Sequence, residues 1–256
     1  MSNIFHTDGI VLKTFPCGDN GLYLKLLTPE MGIIDVTARG VKKQNASNKA
    51  VSQLFCAAAY SISISKGRYY VNSGEIKNSF FGISGDIERL ALASYMSEVL
   101  RAAVTENQSA NDIYRLLANT FYMLSKGTLP CEQLKFIFEM RLMGDIGFLP
   151  DVIGCAECYK TEKNMYFLPL EGKFYCPVHA FSAGYSGETQ MLPLTDSAVE
   201  AMRFVLFTPI DRLFNFKLAD KSLKQAADAS ENYLLCRMER GFQTLDFYKS
   251  VKSDIP

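Results

Sequence analysis

Four residues constrain this chain more than any others: Cys155 and Cys158, then Cys176 and His179. They stand in Gly154-Cys155-Ala156-Glu157-Cys158 and Tyr175-Cys176-Pro177-Val178-His179. A two-residue gap lets one tight turn aim both side chains at a common point. Two such pairs supply the four donors of a tetrahedral zinc site. The chain has only two histidines, and one completes this set. Two readings compete with zinc: a chance pair of buried thiols, and a redox dithiol. The dithiol motif belongs with a βαβ pattern, which the sequence around residue 155 lacks. Four protein donors leave no position for water or substrate, so the expected zinc, one per chain, is structural. The segment holding it, residues 151–182, contains Tyr159, Tyr166, Phe167, Phe174 and Tyr175 but no long apolar run. A piece that small cannot keep a core by itself, so the metal is expected to fix its shape.

Around this segment lie 256 residues, enough for two domains and a substantial core. A hydrophobic share of 48% against 21% charged makes the chain globular rather than disordered. It has no run of eighteen apolar residues, and Met1-Ser2-Asn3-Ile4-Phe5-His6 is no signal peptide. The expectation is a cytoplasmic protein. Cys17, Cys56, Cys131 and Cys236 are scattered, as reduced cysteines are. The net charge is zero but unevenly spread. Residues 1–80 carry nine Lys/Arg and five Asp/Glu, a net of +4; residues 81–256 carry eighteen and twenty-two, a net of −4. The first part is the one suited to an anionic partner.

That basic part reads as β structure. Ile10 to Thr14, Leu22 to Thr28 and Ile33 to Ala38 are β-rich, the last two joined by the turn Pro29-Glu30-Met31-Gly32. Ala57 to Ser65 alternates, and Lys66-Gly67-Arg68 turns it back into a strand beginning at Tyr69. Five short strands within residues 1–80 indicate a small barrel. Residues 39–49, with Arg39, Lys42, Lys43 and Lys49, read as a mobile basic loop. From residue 86 the period becomes helical: Asp86 to Val104, Asn111 to Leu124 and Cys131 to Ile146, the last stopped by Gly147-Phe148-Leu149-Pro150. Thr195 is placed to cap a helix through Leu206, and a final helix is expected from Lys221 to Arg240, ended by Gly241. The zinc segment therefore interrupts a helical domain. The expected organisation is α+β, with a barrel over 1–80 and helices over 81–256, broken by 151–182.

Few residues suit catalysis. There is no P-loop, no G-x-G-x-x-G after a strand and no G-x-S-x-G. His6, the one histidine outside the metal set, lies near a terminus expected to fray. No cysteine nucleophile has a recognisable basic partner. A non-enzymatic protein is expected. The remaining signal is the basic loop with Lys66 and Arg68, beside Tyr23, Phe55, Tyr69 and Tyr70. OB-type barrels bind single strands through cations on phosphates and aromatics against bases. The competing reading is a solvated loop above aromatic barrel core.

Taken in order, these stretches resemble the bacterial DNA recombination and repair protein family RecO. The resemblance rests on Thr7-Asp8-Gly9-Ile10-Val11-Leu12-Lys13, then Leu26-Leu27-Thr28-Pro29-Glu30-Met31-Gly32 followed by Ala38-Arg39-Gly40-Val41-Lys42-Lys43. Further on it rests on Lys66-Gly67-Arg68, Leu92-Ala93-Ser94-Tyr95, and Phe138 to Pro150 running into the cysteine pair. It implies an N-terminal OB fold, a helical domain with a zinc-binding insertion, and association with the nucleoid. It also implies a mediator that binds single- and double-stranded DNA and promotes strand annealing. Such a mediator helps load the RecA recombinase on DNA coated by single-stranded DNA-binding protein, together with RecR and often RecF. DNA contact is carried to Arg39, Lys42 and Lys43, and extends to Lys49, Lys66 and Arg68. Two departures stand out: His179 replaces a cysteine that many members carry, and the chain is electroneutral. Electroneutrality favours an alternative in which the chain is mainly an adaptor docking RecR and the single-stranded DNA-binding protein. Arg115, Lys135 and Arg141 are the candidate cations for that docking.

Overall fold

A computed structural model of the chain describes residues 3–41, 48–182 and 191–253. In chain order, the strands are β1 (Asn3–Cys17), β2 (Gly21–Thr28), β3 (Gly32–Ala38), β4 (Ala57–Ser65) and β5 (Arg68–Asn78). The helices α1 (Ile87–Ala103), α2 (Asn111–Lys126) and α3 (Cys131–Asp145) follow. Next come β6 (Asp151–Cys155), β7 (Tyr166–Leu168), β8 (Lys173–Tyr175), α4 (Pro177–Ser182) and β9 (Leu192–Pro193). The chain continues through α5 (Asp196–Phe207), α6 (Asp220–Met238) and α7 (Gln243–Ser253). It forms two compact units, residues 1–126 with 242–256, and residues 127–241. The helices after residue 81 divide between them.

In the first unit the five strands close into the expected OB-type barrel, in the order β1-β2-β3-β5-β4. Alternation decides which side chains enter it. Val11, Leu24, Leu26, Ile34, Val36, Ala58, Tyr60, Ile62 and Val71 face inward and pack as one cluster. Strand β1 is longer than its apolar run suggests. Its first part pairs with β4 and its second with β2, and the register shifts between Val11 and Lys13. Such a bulge bends a strand, which lets one strand serve two ladders. His6 pairs with Ser61 inside that ladder, so the terminus is not frayed there. Among the described residues of the barrel one pairing is parallel: Val36 with Tyr69 and Thr37 with Tyr70 join β3 to β5.

Helices α1, α2 and α7 complete this unit. Asp86 caps α1, accepting from the Arg89 N–H at 3.0 Å. The α1–α2 connection is fastened to the β2–β3 turn: Asn107 N donates to Met31 O at 2.9 Å and Ala110 N to Pro29 O at 2.8 Å. A side chain at Gly32, which has φ +66°, would place its Cβ 2.1 Å from the Thr105 carbonyl oxygen, so only glycine fits. Helix α7, unforeseen in the sequence, lies against α1. Phe242 meets Tyr95 edge-on at 6.0 Å, and Glu98 accepts from the Thr244 N–H at 3.0 Å.

The second unit is built around α3, which buries Leu134, Phe136, Ile137, Phe138, Met140, Leu142 and Met143 and packs against α5 and α6. Inside it Lys135 Nζ meets Glu139 Oε1 and Glu231 Oε2, both at 2.9 Å. Arg141 donates to the carbonyls of Val205, Leu206 and Thr208 at 3.0–3.3 Å, closing the C-terminus of α5 with a cation. Helix α6 stops at Met238 with Glu239 left-handed, before the expected glycine. Thr195 flanks α5 as expected but makes no side-chain cap; its hydroxyl lies 2.8 Å from that of Ser222. Between α3 and α5 the chain forms a small sheet, β6-β8-β7-β9. Among the described residues, no helix is long and apolar enough to cross a membrane.

Candidate metal centre and nucleic-acid face

The four metal-set residues converge in the second unit, on the sheet's β6–β8 edge. Cys155 ends β6, and the chain turns so that Tyr159 N donates to Cys155 O at 2.9 Å and Cys155 N to Lys160 O at 3.0 Å. This first knuckle needs a bare backbone beside it. A Cβ on Gly154 would lie 2.8 Å from the Tyr159 carbonyl oxygen. The second knuckle follows β8. Pro177 opens the short helix α4, and three residues of helical rise bring His179 round to the side of Cys176.

The donor atoms, three Sγ and one imidazole nitrogen, all lie within 4.8 Å of one another. His179 Nδ1 stands 3.4 Å from Cys155 Sγ and 3.3 Å from Cys176 Sγ; Cys158 Sγ is 4.0 Å from Cys176 Sγ. A tetrahedron with zinc–sulfur bonds of about 2.3 Å has sulfur–sulfur edges of about 3.8 Å and somewhat shorter edges to nitrogen. The set therefore fits a metal ion of zinc's size and preference. Cys155 and Cys176 are buried, while Cys158 and His179 are half-buried. Burial opposes ionisation of Cys155. Backbone N–H groups of Cys176, Cys158 and Glu157 and the His179 ring outweigh it, lowering the thiol to about 6. Cys176 is raised, first by burial. One thiolate is thus favoured before any ion arrives, and a dication would favour the others.

Sequence reasoning missed the side chains that hold this module to its helices. Arg203 on α5 donates from Nε to Val152 O and from Nη2 to Ile153 O, each at 2.8 Å, with its guanidinium 5.9 Å from the Phe174 ring centre. On α6, Tyr233 Oη donates to Phe148 O at 3.0 Å and Arg237 Nη2 to Leu170 O at 3.1 Å. Only their helical spacing is visible in the sequence; their partners are backbone carbonyls, which leave no residue signature.

Of the candidate DNA residues, Arg39 and Arg68 share one recess of the first unit, while Lys49 and Lys66 lie at other places on it. Arg39, the residue after β3, lies over the Tyr70 ring at 4.2 Å. Arg39, Arg68, Tyr23, Tyr70 and Thr37 line one recess of about 310 Å³. Tyr23, Thr37 and Arg68 also line its neighbour of about 460 Å³, with Phe15, Lys25, Asp35, Tyr69 and Glu106. Lys66 is exposed on the β4–β5 turn, and Lys49 lines a separate recess with Leu22 and Leu54. Lys42 and Lys43 lie outside the described residues. Tyr23 is pushed above its ordinary range, first by its hydrogen bond with the Cys17 thiol. Phe55 belongs to the interior: it is buried edge-on against Phe121 at 5.3 Å. Lys135 and Arg141 are likewise committed to internal partners, and Arg115 is exposed on α2.

Comparison with known proteins agrees along the chain. Residues 1–80 match the family model described as Recombination protein O N terminal, and residues 84–246 match Recombination protein O C terminal. A protein named DNA repair protein RecO from Acetivibrio thermocellus is 29% identical over 250 residues, covering 97% of this chain and 98% of the relative. One of the same name from Bacillus subtilis is 27% identical over 224 residues, 86% of each. A third, from Clostridium acetobutylicum, is 23% identical over 251 residues, covering 98% and 99%. With both family models matched in order, the second alone across more than half of it, the chain belongs to the Recombination protein O family.

Proposed function

We propose that this chain is a non-enzymatic mediator of DNA repair and recombination, with residues 1–80 as its nucleic-acid-binding domain. On this reading it binds single- and double-stranded DNA, promotes annealing, and acts with RecR and RecF. It helps load RecA on strands coated by single-stranded DNA-binding protein. The observation that carries it is the grouping of Arg39 and Arg68 with exposed aromatics on one face of an OB-type barrel whose part of the chain is net +4. Support comes also from relatives that bear the name DNA repair protein along their whole length.

In this mechanism the cations neutralise a few phosphates on each strand and screen the repulsion that opposes pairing. The contacting residues are Arg39, Lys42, Lys43, Lys49, Lys66 and Arg68. Cys155, Cys158, Cys176 and His179 would hold a zinc ion, which would cross-link the two knuckles and supply no chemistry on the DNA. The test is DNA affinity against salt for the triple variant Arg39→Ala, Lys42→Ala, Lys43→Ala. Each lost phosphate contact should reduce the logarithmic slope by about 0.7 on single strands, hence by about 2 in all. Unchanged affinity with an unchanged slope would remove these residues from the DNA site.

A second reading, the adaptor, is favoured by the zero net charge and by a recess of about 620 Å³ in the second unit. Phe204, Phe207, Phe216 and Leu218 line it together with Lys217 and Asp196, and Arg203 at its wall is paired with Glu200. A largely apolar groove suits the apolar end of a partner's segment, such as its tail. Firm capture of single-stranded DNA-binding protein or RecR, with no measurable DNA affinity, would favour this reading over the first.

A further inference from the structure

Arg203 stands between the metal centre and the apolar recess on α5. The sheet order β6-β8-β7-β9 puts β6 at an edge. It pairs with β8 at Asp151–Lys173 and again at Cys155–Phe174, and the register shifts in between. In that interval the carbonyls of Val152 and Ile153 accept from Arg203, through Nε and Nη2, each at 2.8 Å. A guanidinium offers this paired grip because its donors form a rigid fork. The same group lies 5.9 Å from the ring centre of Phe174 on β8. Val152 precedes Cys155 by three residues, and Phe174 precedes Cys176 by two. One side chain therefore touches both strands that deliver the cysteine knuckles.

The other side of Arg203 belongs to the recess. It lines the recess with Phe204, Phe207 and Phe216, and Phe204 meets Phe216 edge-on at 5.1 Å. Phe207 follows Arg203 by one helical turn and is 54% exposed. The backbone of α5 is held from elsewhere, since Arg141 donates to the carbonyls of Val205, Leu206 and Thr208. A response at this wall thus falls to the side chain rather than to the helix. Arg203 has one further ion-pair partner, Glu200 at 2.5 Å, whose side chain is 63% exposed. An exposed pair three residues apart on a helix holds its members only weakly. The carbonyl grip on β6 is what decides where the guanidinium sits.

We infer that Arg203 couples the two places: order in the metal knuckles fixes its guanidinium on β6, and so sets the shape and charge of the recess wall. With Cys155 and Cys176 fastened to a common ion, both carbonyls and the Phe174 ring keep their positions, and Arg203 stays against the sheet. With the knuckles loose, the irregular stretch of the edge strand shifts and the fork loses its acceptors. The long side chain, still drawn to Glu200, then swings over the phenylalanines. Coupling between two sites is reciprocal, so an occupant that needs Arg203 in place tightens metal binding by the same factor. The use of this device for a partner rests on the adaptor reading; the coupling itself needs no partner.

The test uses the full chain. Because it has no tryptophan, Phe207→Trp puts a single indole on the recess. Zinc added to the metal-free chain should change the indole emission in step with occupancy, which a chromophoric chelator measures independently. Arg203→Lys in the same background keeps the charge and much of the stem but loses the fork. It should bind zinc about tenfold more weakly, and at saturation its emission should no longer follow zinc. Glu200→Gln should keep both the affinity and the response. An arginine that merely stabilised the fold would lower zinc affinity yet leave the emission response intact at saturation, and that result would overturn the coupling. So would an emission indifferent to zinc with Arg203 intact, a result that depends on no Arg203 variant folding. A chain that captures neither RecR nor single-stranded DNA-binding protein, yet shows the zinc-dependent emission and its loss in Arg203→Lys, would overturn the adaptor reading alone and support the coupling.

Discussion

Replacing Lys135 by Met removes the centre of the buried charge cluster and leaves its volume nearly intact. Lys135 and Glu139 have side chains only 5% and 0% exposed, and Glu231 is 15% exposed. Glu139 also accepts from Ser230 Oγ at 2.7 Å, which cannot balance a full negative charge. Burial alone would lower the Lys135 ammonium, but the two carboxylates outweigh it and the group is raised. Removing one partner from a buried pair costs about 3–5 kcal/mol, because the other charge is left without compensation. That is a large part of the roughly 5–15 kcal/mol available to a folded protein. The second unit should therefore open about a hundred times more often, or more. Hydrogen exchange of α3 and α6 amides reads this unit directly, where whole-chain unfolding would mix two units. The double variant Lys135→Met, Glu139→Gln removes the more deeply buried of the two carboxylate charges that Lys135 balances but keeps a group for Ser230, and should recover most of the loss. Acid should partly rescue the single variant, since protonating Glu139 has the same effect. A single variant within about 1 kcal/mol of wild type, or a double variant no better than the single, would refute the reasoning.

Two further outcomes follow from the geometry. Gly154→Ala forces a Cβ against the Tyr159 carbonyl and should weaken zinc binding by on the order of tenfold, read by competition with a chromophoric chelator; undiminished affinity would show that the knuckle does not need its bare backbone. Tyr114 is raised by burial, then by the charges of Asp8 and Glu30, to about 12. Below pH 10 it is neutral in both states; between 10 and 12 the unfolded chain loses a proton the native one keeps, so stability falls as pH rises. Melting temperatures across that window should fall less steeply for Tyr114→Phe, and parallel curves would contradict the assignment.

What could be read from the sequence depended on how far each signal repeats. The barrel strands alternate over seven residues or more, and α2 shows Ile113, Leu116, Leu117, Thr120, Phe121 and Leu124 on one face, so both were legible. Strands β7, β8 and β9 have two or three residues each, too short for any period to register. Helix α7 begins just past Gly241, where the glycine and the end of α6 suggest a stop rather than a restart. The metal donors were legible because two-residue gaps are a local code. Arg203 was not, because its partners are the carbonyls of Val152 and Ile153, fifty residues earlier. Lys135 and Arg141 show the opposite failure: a cation on a helix looks available until its buried partners are seen.

The return of α7 to α1 sets a timetable for the nascent chain. The first unit contains residues on both sides of the stretch from Gly127 to Gly241. At roughly 5–20 residues per second, a ribosome needs on the order of ten seconds to make that stretch. Throughout that interval α1 waits without Phe242 for Tyr95 and without Thr244 for the Glu98 carboxylate. The barrel can close its ladders early, since all five strands have emerged, yet the helical side of the same unit stays incomplete. Chaperone protection should be needed there, on a surface that no finished molecule displays.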